Sequence, residues 1–253
     1  MVCICLKEEN KFMKIIFIVC LLLGMISCEL EKNKQIMHST EAEDRSRYVA
    51  RDMAYTKLSD KISEYRMLLV NSEMDFKRAD YQFNIPFFKI SPVLDDITGG
   101  AQDSVYASLG YNLDVIKKLE MFFSKLDLQD PPAANEDTAV AMKLLVFLKE
   151  ITDLVKVTLN KHLSEERLAE AVANNGRGVI LKIDSLVDKI MNMRDNLIVK
   201  IIEEIERVNI KREEEQNILD KLSNIFANND EIKRLVECIK NLADQIESLT
   251  LSQ

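Results

Sequence analysis

The sequence predicts an all-α fold, an elongated bundle of five to seven helices with coiled-coil-like segments. Three observations predict it. Apolar residues recur at three- and four-residue steps through most of the chain, with charged residues between them. No strand-like alternation of apolar and polar residues persists anywhere. Chain breakers are confined to a few places: all four prolines lie between 86 and 132, and Ile180 to Phe226 contains neither Gly nor Pro.

The first element precedes the bundle. Lys14 is followed by an apolar run from Ile15 to Ile26, and the small residue Ser27 and then Cys28 close it. This is the layout of a secretory signal peptide over residues 1–27, with a cysteine directly after the cleavage position. The run is short of the roughly 20 apolar residues a membrane span needs. An ordinary signal peptide or a short anchor is the plainer alternative. Residues 1–12 carry Lys7, Glu8, Glu9 and Lys11 and dilute the basic start, so Met13 reads as the initiating residue. Residues 28–45 form a solvated tether whose few apolar residues are chiefly Leu30, Ile36 and Met37. At about 3.4 Å per residue, the roughly 15 residues from Glu29 to Asp44 reach up to roughly 50 Å. Residues 46–253 then suit one helical domain.

Within that domain, Val49, Met53, Leu58, Ile62, Tyr65 and Leu69 form the inner stripe of a first helix, weakening after Phe76. Tyr81 to Gly100 reads as irregular, with room for one short helical turn, because Pro86, Pro92 and Gly99-Gly100 interrupt it. A helix resumes near Asp103, with Val105, Leu109, Leu113, Ile116, Leu119 and Phe123 inward, and Asp130-Pro131-Pro132 stops it. Asn135 or Asp137 caps the next helix. Ala139 to Leu148 is apolar except for Lys143, which predicts a central helix surrounded on most sides. Ser164 to Ala173 is a further short helix, ended by Asn174-Asn175-Gly176-Arg177-Gly178.

A long stripe follows through Ile180, Ile183, Val187, Ile190, Leu197, Ile201, Ile205 and Val208. Lys211 to Asn217 is polar throughout, so the chain there either projects as helix or turns. Ile218, Leu222, Ile225 and Phe226 resume the stripe. Asn228-Asn229-Asp230 breaks and recaps the chain. In the last helix Ile232, Ile239 and Ile246 share one heptad position and Leu235, Leu242 and Leu249 another, the a and d spacing of a coiled coil. Val236 widens the stripe beyond a two-stranded seam. Cys238 sits at its edge, either packed there or available to an interchain disulfide.

The composition restricts the function classes. The chain carries a net charge of −8, and residues 1–27 hold three Lys and two Glu, so their removal makes the rest one unit more acidic. The acidic balance argues against nucleic acid as a partner and against broad attraction to anionic lipid, so membrane contact is expected through a lipid anchor only. No His-x-x-x-His or Cys-x-x-Cys pair is present, and the two histidines are His38 in the tether and His162 near a helix end, read as a surface residue. No catalytic residue, metal ligand or cofactor is expected, and the protein is not expected to be an enzyme. Gly99-Gly100 and Gly176-Arg177-Gly178 lack the spacing and lysine of a phosphate loop and read as turns.

The aromatics are unevenly placed. Nine of the sixteen lie between Phe76 and Phe123. Tyr81, Phe83, Phe87, Phe88, Tyr106 and Tyr111 are the candidate ligand-binding residues. Rings in an irregular segment bury much area with few rotors and serve as interface anchors. The alternative is that they plug the end of the bundle beneath a long loop, and both uses are compatible.

The Ile26-Ser27-Cys28 ending resembles the relaxed lipobox of spirochaetal lipoproteins. With the acidic tether, the Lys/Glu/Ile/Asn/Leu-rich composition and the helical body, the chain resembles the plasmid-encoded outer-surface lipoproteins of Borrelia. Within that group it looks most like the complement-regulator-acquiring, factor H-binding lipoproteins of relapsing-fever species. The resemblance implies cleavage before Cys28, lipidation of Cys28, attachment to the cell outer membrane facing outward, and capture of factor H or a related regulator. No local motif carries a ligand residue across. Two other uses of such a body stand beside it: an adhesin for plasminogen, using lysines such as Lys117-Lys118, or for extracellular matrix, and a structural lipoprotein without a host ligand.

Overall fold

The computed structural model describes residues 45–76, 83–90, 94, 100–129, 135–208 and 215–251. The chain divides into two compact units, residues 1–53 and 54–253. Of the first, residues 45–53 are described. They are helical, with Tyr48, Val49 and Met53 exposed. Val49 and Met53 were expected on the inner stripe; burial begins instead at Leu58.

The second unit is all-α, and no strand occurs among its described residues. In chain order its elements are α1 (54–76), α2 (Phe87–Ile90), α3 (Gly100–Ser108), α4 (Leu113–Phe123), α5 (Glu136–Val157), a π-helical turn (Thr158–His162), α6 (Glu165–Arg207), α7 (Glu215–Ala227) and α8 (Asp230–Thr250). One continuous apolar core joins them, with Leu58, Ile62, Phe122, Leu144, Leu148, Ile183, Ile201 and Ile239 each at most 3% exposed. The most extensive pairings are α6 with α8 and α3 with α5; α5 also packs on α7, α2 and α8.

Local chemistry sets the boundaries. Asn112, Asn135, Ser164 and Asn229 cap α4, α5, α6 and α8, each side chain accepting backbone N–H bonds of the first turn. The single helix expected from Asp103 to Phe123 is two. Gly110 (φ 61°) and Tyr111 (φ 55°) take left-handed conformations, and Asn112 restarts the chain as a cap. The expected break at Asn174–Gly178 is present: Gly176, at φ 71° and ψ −167°, leaves helical geometry, and α6 is two helical segments meeting there at a kink. The short turn expected within Tyr81–Gly100 is α2. The long stripe ends at Val208, while residues 209–214 lie outside the described set.

Two expectations about burial change. α5 is less enclosed than its composition suggests: Met142 and Lys143 are exposed, and Val146 and Phe147 half-buried. In α8 the buried line is Ile232, Ile239, Ala243, Ile246 and Thr250, with Leu235, Leu242 and Leu249 half-buried. The helix has rolled from an a/d seam toward an a/e seam, as the wide stripe permits. Cys238 is a free, half-buried thiol.

Candidate functional site

The aromatic end of the second unit is built around the last turn of α1. The Phe76 ring lies parallel to Phe83 (centroids 5.7 Å apart, 1° between planes) and tilted against Tyr106 (5.3 Å) and Tyr111 (5.0 Å). Phe83 also meets Tyr106 at 5.7 Å, and Phe87 meets Tyr106 edge-on at 5.9 Å. Offset and edge-to-face contacts at these distances are favourable beyond the area they bury. Four of the candidate ligand-binding residues, Phe83, Phe87, Tyr106 and Tyr111, are thus brought together in one intramolecular cluster. Phe88, next to the buried Phe87, points the other way and is 57% exposed. Tyr81 and Cys28 lie outside the described residues.

Beneath the rings runs a polar network that links α3, the Gly110 turn and α5. The Tyr111 hydroxyl donates to Asp103 Oδ1 at 3.0 Å, and Lys156 Nζ donates to Asp103 Oδ2 at 3.2 Å. Asp103 is buried and uses both carboxylate oxygens. The next residue, Ser104, donates through Oγ to Asp153 Oδ1 (2.9 Å), whose Oδ2 Lys149 contacts. Arg194 of α6 is buried, with Nη1 3.0 Å from Asp195 Oδ1 and Nη2 at 3.5 Å from the Ala107 carbonyl. Burial pushes the Arg194 guanidinium below its ordinary value, against the Asp195 carboxylate. Burial, and then the Asp103 charge, push the Tyr111 phenol well above its ordinary value. Tyr106 is raised to about 12, mainly by burial and secondarily by Glu120. Both phenols therefore stay neutral across the physiological range.

A cavity of about 90 Å³ opens between α1, α3 and α5, lined by Arg66, Leu69, Glu73, Ala107, Tyr111 and Lys156 among others. Its cations are engaged. Lys156 holds Asp103, and Arg66 Nη2 donates to the carbonyls of Leu159 (2.6 Å) and Leu163 (2.9 Å). The π-helical turn frees those carbonyls: Leu163 N–H bonds back to Thr158 O, five residues away, so the ordinary four-residue ladder is broken there. Among the described residues no group of three or more His, Cys, Asp or Glu is placed to hold a metal ion.

His162 corrects an expectation. It is buried, not a surface residue: the π-helical turn swings it against α8, where Nε2 lies 3.6 Å from Glu247 Oε1. Lys118, of the pair considered for plasminogen, donates to the Glu206 carbonyl at the end of α6 (2.6 Å). Sequence reasoning missed the Asp103–Lys156 pair and the buried Arg194. Arg194 carried a usable signal, since it falls on the stripe between Ile190 and Leu197, where a solvated cation has no place. Asp103 carried none. No family model, curated protein or solved structure matches the chain.

Proposed function

We propose that the protein is a lipoprotein, anchored through Cys28 to the outer surface of the cell, whose helical body binds a host serum protein. The preferred ligand is the complement regulator factor H or a related regulator, captured for protection from lysis, and the body performs no catalysis. The observation that carries the reading is the Met13–Cys28 stretch: one cation, a short apolar run, a small residue and a cysteine, followed by a polar tether. The resemblance to the factor H-binding lipoproteins selects the ligand. The body is compatible with it. No described helix is long and apolar enough to cross a membrane, and Phe88 stands outward from the aromatic end.

Anchor and ligand are tested separately. Metabolic labelling with palmitate should mark the wild type and spare Cys28→Ala, which should leave the membrane fraction while keeping its helical circular dichroism. Retention of the variant in the membrane refutes the anchor. Proteinase treatment of intact cells should remove the body if it faces outward. Ligand blotting of residues 29–253 against human serum should retain factor H or a related regulator; retention of neither refutes the ligand.

A further inference from the structure

Helix α1 carries apolar residues on two sides, and among the described residues of its unit one of them stays exposed. The inward face carries Leu58, Ile62, Tyr65 and Leu69. It also takes the helix's central cations: Lys61 Nζ pairs with Asp184 (2.5 Å) and Asp188 (2.7 Å) of α6, and Arg66 caps the carbonyls of the π-helical turn. The outward side carries Met67, Leu68 and Met74, exposed by 62, 49 and 45%, while Val70 lines the cavity between α1, α3 and α5. Of the eleven exposed large apolar residues among the described residues of 54–251, these three fall within eight consecutive positions, so the patch is a concentration rather than scatter.

A shallow groove runs along this face, lined by Asp60, Glu64, Met67, Leu68, Asn71 and Asp75 among others. The spacing i, i+4, i+7, i+8, i+11, i+15 keeps these residues on one side of the helix over about 22 Å, at 1.5 Å per residue. Carboxylates stand at both ends and thioether and isobutyl groups at the centre. Lys57, one turn before Asp60, is the exposed cation at the N-terminal limit.

We infer that the outward face of α1 docks a positively charged amphipathic helix of a partner protein. A straight helical face of four turns offers ridges and grooves to another helix. Met67 and Met74 adapt to apolar anchors at i, i+3, i+4 and i+7, and the terminal carboxylates fit Lys or Arg flanking those anchors. The same charges disfavour the other occupants. A second copy docked face to face sets carboxylate against carboxylate, and an anionic membrane surface is repelled. The inference concerns the body alone and stands whether or not Cys28 is lipidated or the serum ligand is factor H.

The test titrates the full chain into a fluorescein-labelled helical peptide with Leu at i, i+3, i+4 and i+7 and Lys elsewhere, beside a scrambled isomer of equal charge. The amphipathic peptide should bind at least about tenfold more tightly than its isomer. The Met67→Ser/Leu68→Ser variant, altered only at exposed positions, should lose about tenfold, one decade of affinity being about 1.4 kcal/mol. The Asp60→Asn/Glu64→Asn/Asp75→Asn variant should lose affinity and flatten its salt dependence. Equal binding of the two peptides, or unchanged binding by Met67→Ser/Leu68→Ser, overturns the inference. So does a chain dimer in sedimentation velocity that the Met67→Ser/Leu68→Ser variant dissolves, which assigns the face to a second copy.

Discussion

The α6–α8 pair and the aromatic end are held together by opposite means. Along α8 the residues Ile232, Ile239 and Ile246 repeat every seven positions, each at most 1% exposed. They make the same kind of contact three times, and dispersion and apolar burial need only shape and spacing. At the aromatic end nothing repeats. Phe76, Phe83, Phe87, Tyr106 and Tyr111 come from four separate stretches. One carboxylate, Asp103, ties the Gly110 turn to α5 through Tyr111 and Lys156. A repeated apolar contact tolerates a change of side chain that keeps volume, whereas a buried polar contact depends on the particular atoms that satisfy it.

The largest effect that separates the two regions should come from Ile239→Ala. It removes a side chain 1% exposed from the centre of the α8 line and should cost about 3.5 kcal/mol, within the range for such truncations. Urea unfolding of residues 29–253 should show a lower midpoint with an unchanged slope. Ile239→Leu, which keeps the volume, should recover most of the loss.

Asp103→Ala should cost about 2 kcal/mol by a different route, since the Tyr111 hydroxyl and the one-third-exposed Lys156 lose their shared buried partner. The contrast with α8 is in the rescue. Removing the stranded cation as well, in Asp103→Ala/Lys156→Met, should be less destabilising than Asp103→Ala alone. Additive costs in this cycle would show that the carboxylate is not what joins α3 to α5.

The legibility of the two regions follows the same division. Periodicity locates α6, α7 and α8 and the cap and kink residues between them, because apolar spacing is a property of consecutive residues. It misplaces the roll of α8 by about one position, since a stripe as wide as this one leaves the seam open between d and e. It also joins α3 to α4, where Gly110 and Asn112 had to be weighed as turn and cap against an unbroken apolar pattern. At the aromatic end, the cluster of rings is visible in the composition, but the inward or outward choice is not. Phe87 and Phe88 are adjacent, and one is 3% and the other 57% exposed. His162 was hidden differently: its polar neighbours suggest a surface, and only the extra residue of the π-helical turn brings it to Glu247.

Alkaline pH should weaken the aromatic end selectively. Tyr106 titrates near its ordinary value of 10 in the unfolded chain and near 12 when folded, because burial disfavours the phenolate. A raised folded value gives a contribution that is full below pH 10 and lost as pH rises toward 12. The Tyr106 share of stability should therefore fall by about 1 to 2 kcal/mol over that window, after allowance for the ring's partial exposure, with a further loss from the more strongly raised Tyr111. Tyr106→Phe should shallow the decline, and a decline unaltered in the variant would assign it to other groups.

The smallest effect tests the roll of α8. A symmetrical a/d seam would make Leu235→Ala as costly as Ile239→Ala, since both would be knobs in the same interface. In the structure Ile239 is enclosed by the core, while Leu235 packs against it with one side in solvent. Truncation there removes area that water already partly covers and leaves no closed cavity, so the cavity part of the cost is absent. Leu235→Ala should cost about 1 kcal/mol, roughly a third of Ile239→Ala, measured as the difference in urea midpoint. Equal costs would return the seam to a and d and make α8 a more regular coiled-coil strand than its half-exposed leucines indicate.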